Sequence, residues 1–201
     1  MPVTNSKAQT GFTLIELIIG IVVFAVALTF ITSLISPQAG KSVDPIMQVR
    51  ATELANTIIR EISAMSYDEN SGNSIRCNDD LNNDGDLDDV GESSCTPIES
   101  FGPDDSEYRN NTNSNFDDVD DYHGLQQGAG FADAVIRNSL GEILLVDGQN
   151  LYAGFSVSVS VTYDGDMDGV TDTDQSAKLI LVNVTTSGGE TIAFSAYRSN
   201  Y

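Results

Sequence analysis

The stretch that decides the fold lies near the start of the chain, where positions 11–35 read GFTLIELIIGIVVFAVALTFITSLI. Glu16 is the only charged residue among the 24 residues from Phe12 to Ile35. As a helix, this run would extend ~36 Å at about 1.5 Å per residue, which is more than the ~30 Å hydrocarbon core of a bilayer. We therefore predict a membrane-spanning helix, because the run is longer than the apolar core of a secretory signal peptide.

Glu16 is out of place in such a helix. An ionised carboxylate in a membrane helix costs roughly 2.5–3.5 kcal/mol even on the lenient scales, so we expect it to have a cationic partner. No basic residue lies nearby on the same helix. Cleavage of the chain after Gly11 would create an ammonium group on Phe12, and in a stack of neighbouring copies that group would reach the carboxylate of another chain. The sequence thus favours assembly through this segment.

Positions 11–17, GFTLIEL, resemble the processing motif of the type IV prepilin family, which includes the pilins and the pseudopilins of type II secretion. The resemblance implies cleavage between Gly11 and Phe12 by a prepilin peptidase, which also methylates the new amine. It further implies that the helix packs into the core of a filament, with Glu16 as the assembly glutamate. The expected partners are other pilin subunits, the peptidase and methylase, and the inner membrane before assembly.

The composition excludes several classes of function. Nine Lys and Arg residues against thirty Asp and Glu residues give a net charge of −21, which argues against binding nucleic acid, since phosphate contacts need cations. The single histidine, His123, rules out multi-histidine metal sites and most histidine-dependent acid–base chemistry. The chain also lacks the local motifs of the common hydrolases and phosphate-binding enzymes. We therefore expect a structural protein and not an enzyme.

The pattern after the apolar run predicts a second helical segment. Pro37 should kink or break the first helix, and Asp44-Pro45 is typical of a new helix start. An apolar stripe at helical spacing then predicts packing on a sheet; its members are Met47, Ala51, Leu54, Ile58, Ile62 and Met65.

Alternating apolar and polar residues near the end of the chain predict an antiparallel meander with one buried face. The residues expected on that face are Phe155, Val157, Val159, Val161, Tyr163, Ile180, Val182, Val184, Ile192, Phe194 and Ala196. Residues 143–146 are a candidate fourth strand. The fold class is therefore α+β, with a long N-terminal helix and an antiparallel sheet head, as in the type IV pilins.

These patterns divide the chain into five consecutive regions. They are a leader peptide at 1–11, a transmembrane and filament-core helix at 12–36, an amphipathic second half of the helix at 37–67, an acidic loop region with a disulfide at 68–140, and the antiparallel sheet at 141–201.

Two acidic loops have the pattern of the first part of an EF-hand calcium loop, D-x-[DN]-x-D-G. Short acids at alternate positions can converge on a hard cation, and the glycine permits the sharp turn. A solvated turn is the alternative for each loop. The candidate calcium ligands of the first loop are Asp80, Asn82, Asp84, Asp86 and Asp88, with Glu92 one residue beyond the closing position. Those of the second are Asp164, Asp166, Asp168, Val170 through its carbonyl, and Asp172.

Two further features lie in the acidic region. Cys77 and Cys95 bracket the first loop, and in an exported domain two cysteines are expected to pair. Residues 116–124, FDDVDDYHG, are expected to form an acidic surface turn held by their aromatic and valine side chains, or alternatively a third ion site.

The leading functional hypothesis is a minor pilin that is held in the bacterial inner membrane with its head in the periplasm, then cut and inserted into a surface filament. Residues 116–124 and 194–201 resemble minor pilins of the mannose-sensitive haemagglutinin (MSHA) type, which implies a priming, tip or adhesion role. A minor pseudopilin of a type II secretion system is the first alternative. A signal-anchored calcium-binding adhesin that never polymerises is the second.

Overall fold

The computed structural model describes residues 11, 13–40, 44–71, 76–87, 89–109 and 115–200. It divides the chain into two compact units, Met1–Pro45 and Ile46–Tyr201.

The first unit contains helix α1, Leu14–Gly40, which has 27 residues. Its segment Leu14–Thr32 is the one helix, within the described part of the chain, that is long and apolar enough to cross a membrane. A break at Pro37, one of the two expected effects of this proline, does not occur, and the helix ends at Gly40. A proline removes only one backbone donor, and the helix continues through this position without it.

Helix α2 spans Asp44–Ser63. Its apolar stripe is buried as expected, with Ala55 added to the set, while Met47 and Met65 are partly buried against the same core. Sheet residues such as Val157 and Val182 belong to that core. The prediction that this stripe packs on a sheet is confirmed.

The strands among the described residues are β1 Gln126–Gly128, β2 Leu145–Val146, β3 Gln149–Asn150, β4 Ser156–Tyr163, β5 Ala177–Thr185 and β6 Thr191–Ser199. The main sheet has the order β1-β4-β5-β6, and every neighbouring pair in it is antiparallel. Val159 pairs with Val182, which pairs with Phe194, so β4, β5 and β6 form the predicted meander. The chain thus has the α+β, type IV pilin-like arrangement of an apolar N-terminal helix and an antiparallel sheet.

The prediction of a fourth strand from residues 143–146 is wrong. Strand β2 lies there, but it pairs with β3 in a separate two-stranded sheet, and β1 takes the place beside β4. The three-residue β1 carries no alternating pattern of its own and forms because β4 offers a free edge. At Gly128, which has a φ of 99°, the backbone passes so close to β4 that a Cβ would lie 2.2 Å from the Phe155 carbonyl oxygen.

A small second core lies around the predicted disulfide. Cys77 and Cys95 are bonded to each other, as expected, and both are buried. Tyr67 and Tyr163 belong to the same cluster, and Phe101 is packed against it. The disulfide therefore ties part of the acidic region to residues at the end of β4.

Candidate functional sites

Glu16 lies in the first turn of α1, at the N-terminal end of the apolar surface. Its backbone N–H donates to the carbonyl oxygen of Thr13 at 3.1 Å, so Thr13 helps to start the helix. The Glu16 side chain is exposed, and within the described residues no basic group forms an ion pair with its carboxylate. Gly11 is described and exposed. Phe12, the predicted methylation site, and the leader residues 1–10 lie outside the described residues.

The side chains of Leu14–Thr32 form an apolar surface, and none of this segment is buried by the part of the chain that the structure describes. Phe24, for example, is 66% exposed. An exposed apolar surface of this size is typical of a segment that meets lipid or a protein partner. Glu16 therefore lies within the exposed apolar segment Leu14–Thr32.

The hairpin loop between β4 and β5 brings together Asp164, Asp166 and Asp172. Each offers one carboxylate oxygen, and the three oxygens lie within 4.8 Å of one another. Asp164 is fully buried and accepts hydrogen bonds from the Tyr197 hydroxyl at 2.6 Å and from Gly169 N at 2.9 Å. The Tyr197 hydroxyl bond lowers the pKa of Asp164, which keeps this carboxyl charged.

The other residues around this loop are used differently. Asp168 is not in the three-carboxylate cluster, and its Oδ1 accepts the backbone N–H of Val170 at 2.8 Å. Tyr197, on β6, has no place in the loop motif, and no local pattern indicates that it reaches Asp164. Its hydroxyl donates to Asp164, which directly follows β4 and is the first candidate ligand of the loop pattern. Tyr197 therefore helps to fix the position of this carboxylate.

The first acidic loop is more exposed and groups Asp84 and Asp86 with Asp89. Asp80 lies outside this cluster, and its oxygens accept backbone N–H groups, including Asn83 N at 2.6 Å and Gly85 N at 3.0 Å. The predicted ligand Asn82 donates from its Nδ2 to Asp84 at 2.9 Å, and Asp88 lies outside the described residues. Glu92 closes the loop, with its Oε1 accepting Leu81 N at 2.7 Å.

A buried lysine, Lys178 on β5, forms a polar cluster that was not among the sequence-based predictions. Its Nζ donates to the Tyr67 carbonyl oxygen at 2.7 Å and to Asp68 Oδ2 at 3.0 Å, and it also contacts Asp120 Oδ1. Both Lys178 and Asp68 have fully buried side chains. The alternation of β5 could have indicated this burial, because Lys178 is two residues before the inward-facing Ile180 and therefore lies on the same face of the strand.

The acidic turn at residues 116–124 is buried, so its interpretation as a surface turn is wrong. Asp118, Asp120 and Asp121 are all almost completely buried. Asp118 Oδ1 accepts the backbone N–H groups of Asp120 at 2.8 Å and Asp121 at 3.2 Å. Burial is the main cause that raises the pKa of Asp118 to about 8 and that of Asp121 to about 7. The turn folds inward because backbone donors and Lys178 satisfy its carboxylates.

A second buried pair joins this turn to α2. Glu61 contacts Arg109, and its Oε1 accepts the Tyr122 hydroxyl at 2.9 Å. The Arg109 guanidinium lies 5.8 Å from the centre of the Tyr122 ring. His123 has a structural position, with its Nδ1 at 3.1 Å from the backbone nitrogen of Val161 on β4. These groups do not form an arrangement typical of acid–base catalysis.

The comparisons with known proteins agree with the N-terminal part of this description. Residues 6–32 match the family model described as the prokaryotic N-terminal methylation motif. No curated protein and no solved structure matches the chain significantly. The match supports the type IV pilin and pseudopilin family and points to a structural, pilin-like protein, not an enzyme. The motif implies processing by a prepilin peptidase and assembly with other pilins, and with the apolar helix it is consistent with membrane anchoring.

Proposed function

We propose that this chain is a minor pilin of the MSHA type, a low-abundance subunit that enters a bacterial surface filament after cleavage between Gly11 and Phe12. The observation that carries the proposal is Glu16, a carboxylate with no basic partner among the described residues, on an exposed apolar helix that bears the methylation motif. The resemblance of residues 116–124 and 194–201 to MSHA minor pilins supports the particular type of filament.

The physical role of Glu16 is to select the register of assembly. A carboxylate in an apolar environment is costly unless a cation neutralises it. The methylated amine of Phe12 on a neighbouring subunit would supply that charge. Any other stagger of the helices would leave both charges unpaired among apolar side chains. In this proposal the head lies in the periplasm before assembly and at the cell surface afterwards.

Replacing Glu16 by glutamine tests this role. Glu16→Gln keeps the shape of the side chain but removes its charge, so we expect normal amounts in the membrane and at least a tenfold decrease in sheared filaments. Glu53→Gln is the matched control, because Glu53 is exposed on α2 and makes no ion pair within the described residues. Incorporation of Glu16→Gln at the wild-type level would contradict the proposal.

The same preparations separate the MSHA-type filament from the alternative of a minor type II pseudopilin. A minor pilin is recovered with surface filaments, and its deletion leaves protein secretion unchanged. A pseudopilin stays in the cell envelope, and its deletion stops the export of folded proteins. Recovery only in the membrane, with an intact leader, would instead support the unpolymerised adhesin.

Calcium binding by the hairpin loop is part of the proposal. The three clustered carboxylates of Asp164, Asp166 and Asp172 repel one another, and no lysine or arginine among the described residues pairs with them. Calcium prefers six to eight oxygen ligands, such as carboxylates, backbone carbonyls and water. These residues fit that preference, with the Val170 carbonyl as the expected backbone ligand. The ion would fix the β4–β5 connection in the assembled head.

Thermal unfolding of the purified chain in calcium and in chelator tests this part. An ion that binds only the folded state stabilises it by mass action, so the midpoint should be higher in calcium. Asp166→Asn, an exposed member of the cluster, should remove most of that difference. Asp147→Asn, in the exposed β2–β3 turn, should retain it. Equal midpoints for the wild type in both solutions would refute calcium binding.

A further inference from the structure

The Lys178 side chain has an unusual environment for a charged group. It is fully buried, and its Nζ lies 4.5 Å from the ring centre of Tyr67, 4.9 Å from that of Phe101 and 5.7 Å from that of Tyr163. The three rings keep water away from the amine. Its two carboxylate neighbours come from distant parts of the chain, Asp68 just after α2 and Asp120 in the acidic turn.

The two carboxylates are held in different ways. Asp68 accepts hydrogen bonds from the backbone N–H of Asn70 at 3.1 Å and of Thr96 at 3.0 Å, and from the Thr96 hydroxyl at 3.0 Å. These donors fix the position of the Asp68 carboxylate beside Nζ. Asp120 instead lies beside Asp118, whose Oδ1 accepts the Asp120 backbone N–H at 2.8 Å. Burial raises the pKa of Asp118 to about 8, so Asp118 holds a proton at neutral pH. Lys178 thus lies between Asp68, which backbone and hydroxyl donors hold in place, and Asp120, which lies close to a proton donor.

We propose that Lys178 and Asp120 are joined by an intramolecular isopeptide bond. Transfer of a proton within the ion pair gives a neutral amine and a neutral carboxylic acid. The Nζ lone pair attacks Cγ of Asp120, so that a C–N bond forms, and the C–O bond to the hydroxyl group breaks. The hydroxyl leaves with a proton as one water molecule, and no oxidant, reductant or other reactant is needed.

The neighbouring acids supply the proton transfers. Asp68 Oδ2, at 3.0 Å from Nζ, accepts the proton that the attacking nitrogen must lose. Asp118 donates a proton to the departing oxygen. Because Asp68 gains one proton and Asp118 loses one, the two acids together hold as many protons after the reaction as before it. The reaction replaces a buried ion pair by a neutral amide, which removes the cost of keeping these two charges out of water. Expulsion of water from a dry, aromatic site favours the amide.

The bond would connect β5 to the acidic turn across 58 residues of sequence. It would act beside the Cys77–Cys95 disulfide, which restrains another part of the same acidic region. The two links would hold the acidic residues on the sheet under conditions where their mutual repulsion favours opening.

Peptide mapping of the full chain tests the proposal. Trypsin cuts after Arg109, Arg137, Lys178 and Arg198. The isopeptide bond blocks cleavage at Lys178 and attaches peptide 110–137 to peptide 138–198, with a mass lower than their sum by one water. The branched peptide itself must be detected, because a loss of one water alone does not identify the bond. Asp-Gly pairs, such as those at 164–165 and 168–169, also lose water without forming a link.

Substitutions of the three residues test which groups form the bond and which transfers the proton. Asp120→Asn should give a branched peptide of identical mass, because its amide group leaves as ammonia in place of water. Asp118→Asn retains an oxygen that can accept the Asp120 and Asp121 backbone N–H groups but cannot transfer a proton, so the linked fraction should fall at least tenfold. Lys178→Arg should give no branched peptide. Complete cleavage after Lys178 in folded wild-type protein, with peptide 110–137 recovered free, would overturn the proposal and leave the cluster as an ion pair.

Discussion

Glu61 provides the most direct test of how the acidic turn is attached to α2. Its side chain is 10% exposed, and the side chain of its partner Arg109 is 2% exposed. The Glu61 carboxylate also accepts the Tyr122 hydroxyl at 2.9 Å, while Arg109 Nη2 donates to the Arg137 carbonyl oxygen at 3.0 Å. One carboxylate thus neutralises a buried guanidinium and holds a buried tyrosine.

The expected loss of stability follows from this geometry. Removing one partner of a buried ion pair costs about 3–5 kcal/mol, because the other charge remains buried without compensation. Glu61→Gln retains an oxygen for the Tyr122 hydroxyl, so we expect a loss of about 3 kcal/mol, at the low end of the range. Glu61→Ala also leaves the hydroxyl without an acceptor, which adds about 1–3 kcal/mol.

Urea unfolding of the full chain in detergent measures these losses. All seven tyrosines lie at or after residue 67, and the chain has no tryptophan, so tyrosine fluorescence reports on the head and not on α1. Glu53→Gln, at an exposed position on the same helix, should change the free energy of unfolding by less than about 0.5 kcal/mol. A Glu61→Gln loss no larger than that of the control would refute the claim that this pair anchors the turn.

Two further predictions concern the pH dependence of stability and the edge of the sheet. The pKa of Asp121 is about 7 in the folded head, while an unfolded aspartate titrates near ~3.9, so the folded state binds more protons between these values. The free energy of unfolding should therefore fall as the pH rises through this window, and Asp121→Asn should make the curve flatter; an unchanged slope would contradict the assignment. Gly128→Ala should destabilise the head by about 1–3 kcal/mol, because a positive φ is combined with a clash against the Phe155 carbonyl oxygen. Gly148→Ala is the control, since Gly148 also has a positive φ but open space around its Cβ position, and equal losses for the two variants would show that the close approach at Gly128 is unimportant.

The regular elements of the fold were predictable because each has a local pattern. The apolar stripe of α2 has a helical period, and the inward side chains of β4, β5 and β6 alternate. The disulfide was also predictable, because the chain has only two cysteines. These signals depend on neighbouring residues in the sequence and need no knowledge of the tertiary structure.

The contacts that attach the acidic region to the sheet were not predictable in this way. Lys178 is separated by 110 residues from Asp68 and by 58 residues from Asp120, and no local pattern relates the three. The dense charge of residues 116–124 suggested solvent exposure, whereas backbone donors and one lysine make burial possible. Strand β1 was missed for a similar reason, since it is defined by the free edge of β4.

The clustering of the hairpin acids was predicted only in part. Asp164, Asp166 and Asp172, three of the residues in the loop pattern, lie together in the structure, whereas Asp168 lies outside their cluster. The loop pattern did not indicate that Tyr197 of β6 would hold Asp164. Whether this cluster takes up calcium stays a prediction.

Cleavage after Gly11, followed by entry into a filament through the new N-terminus, is the central claim about this chain. Intact-mass and N-terminal analysis of protein extracted from membranes and from sheared filaments tests it most directly. We expect both fractions to begin at an N-methylated Phe12. A chain that begins at Met1, or within residues 25–33 as after removal of a secretory signal, would contradict that claim.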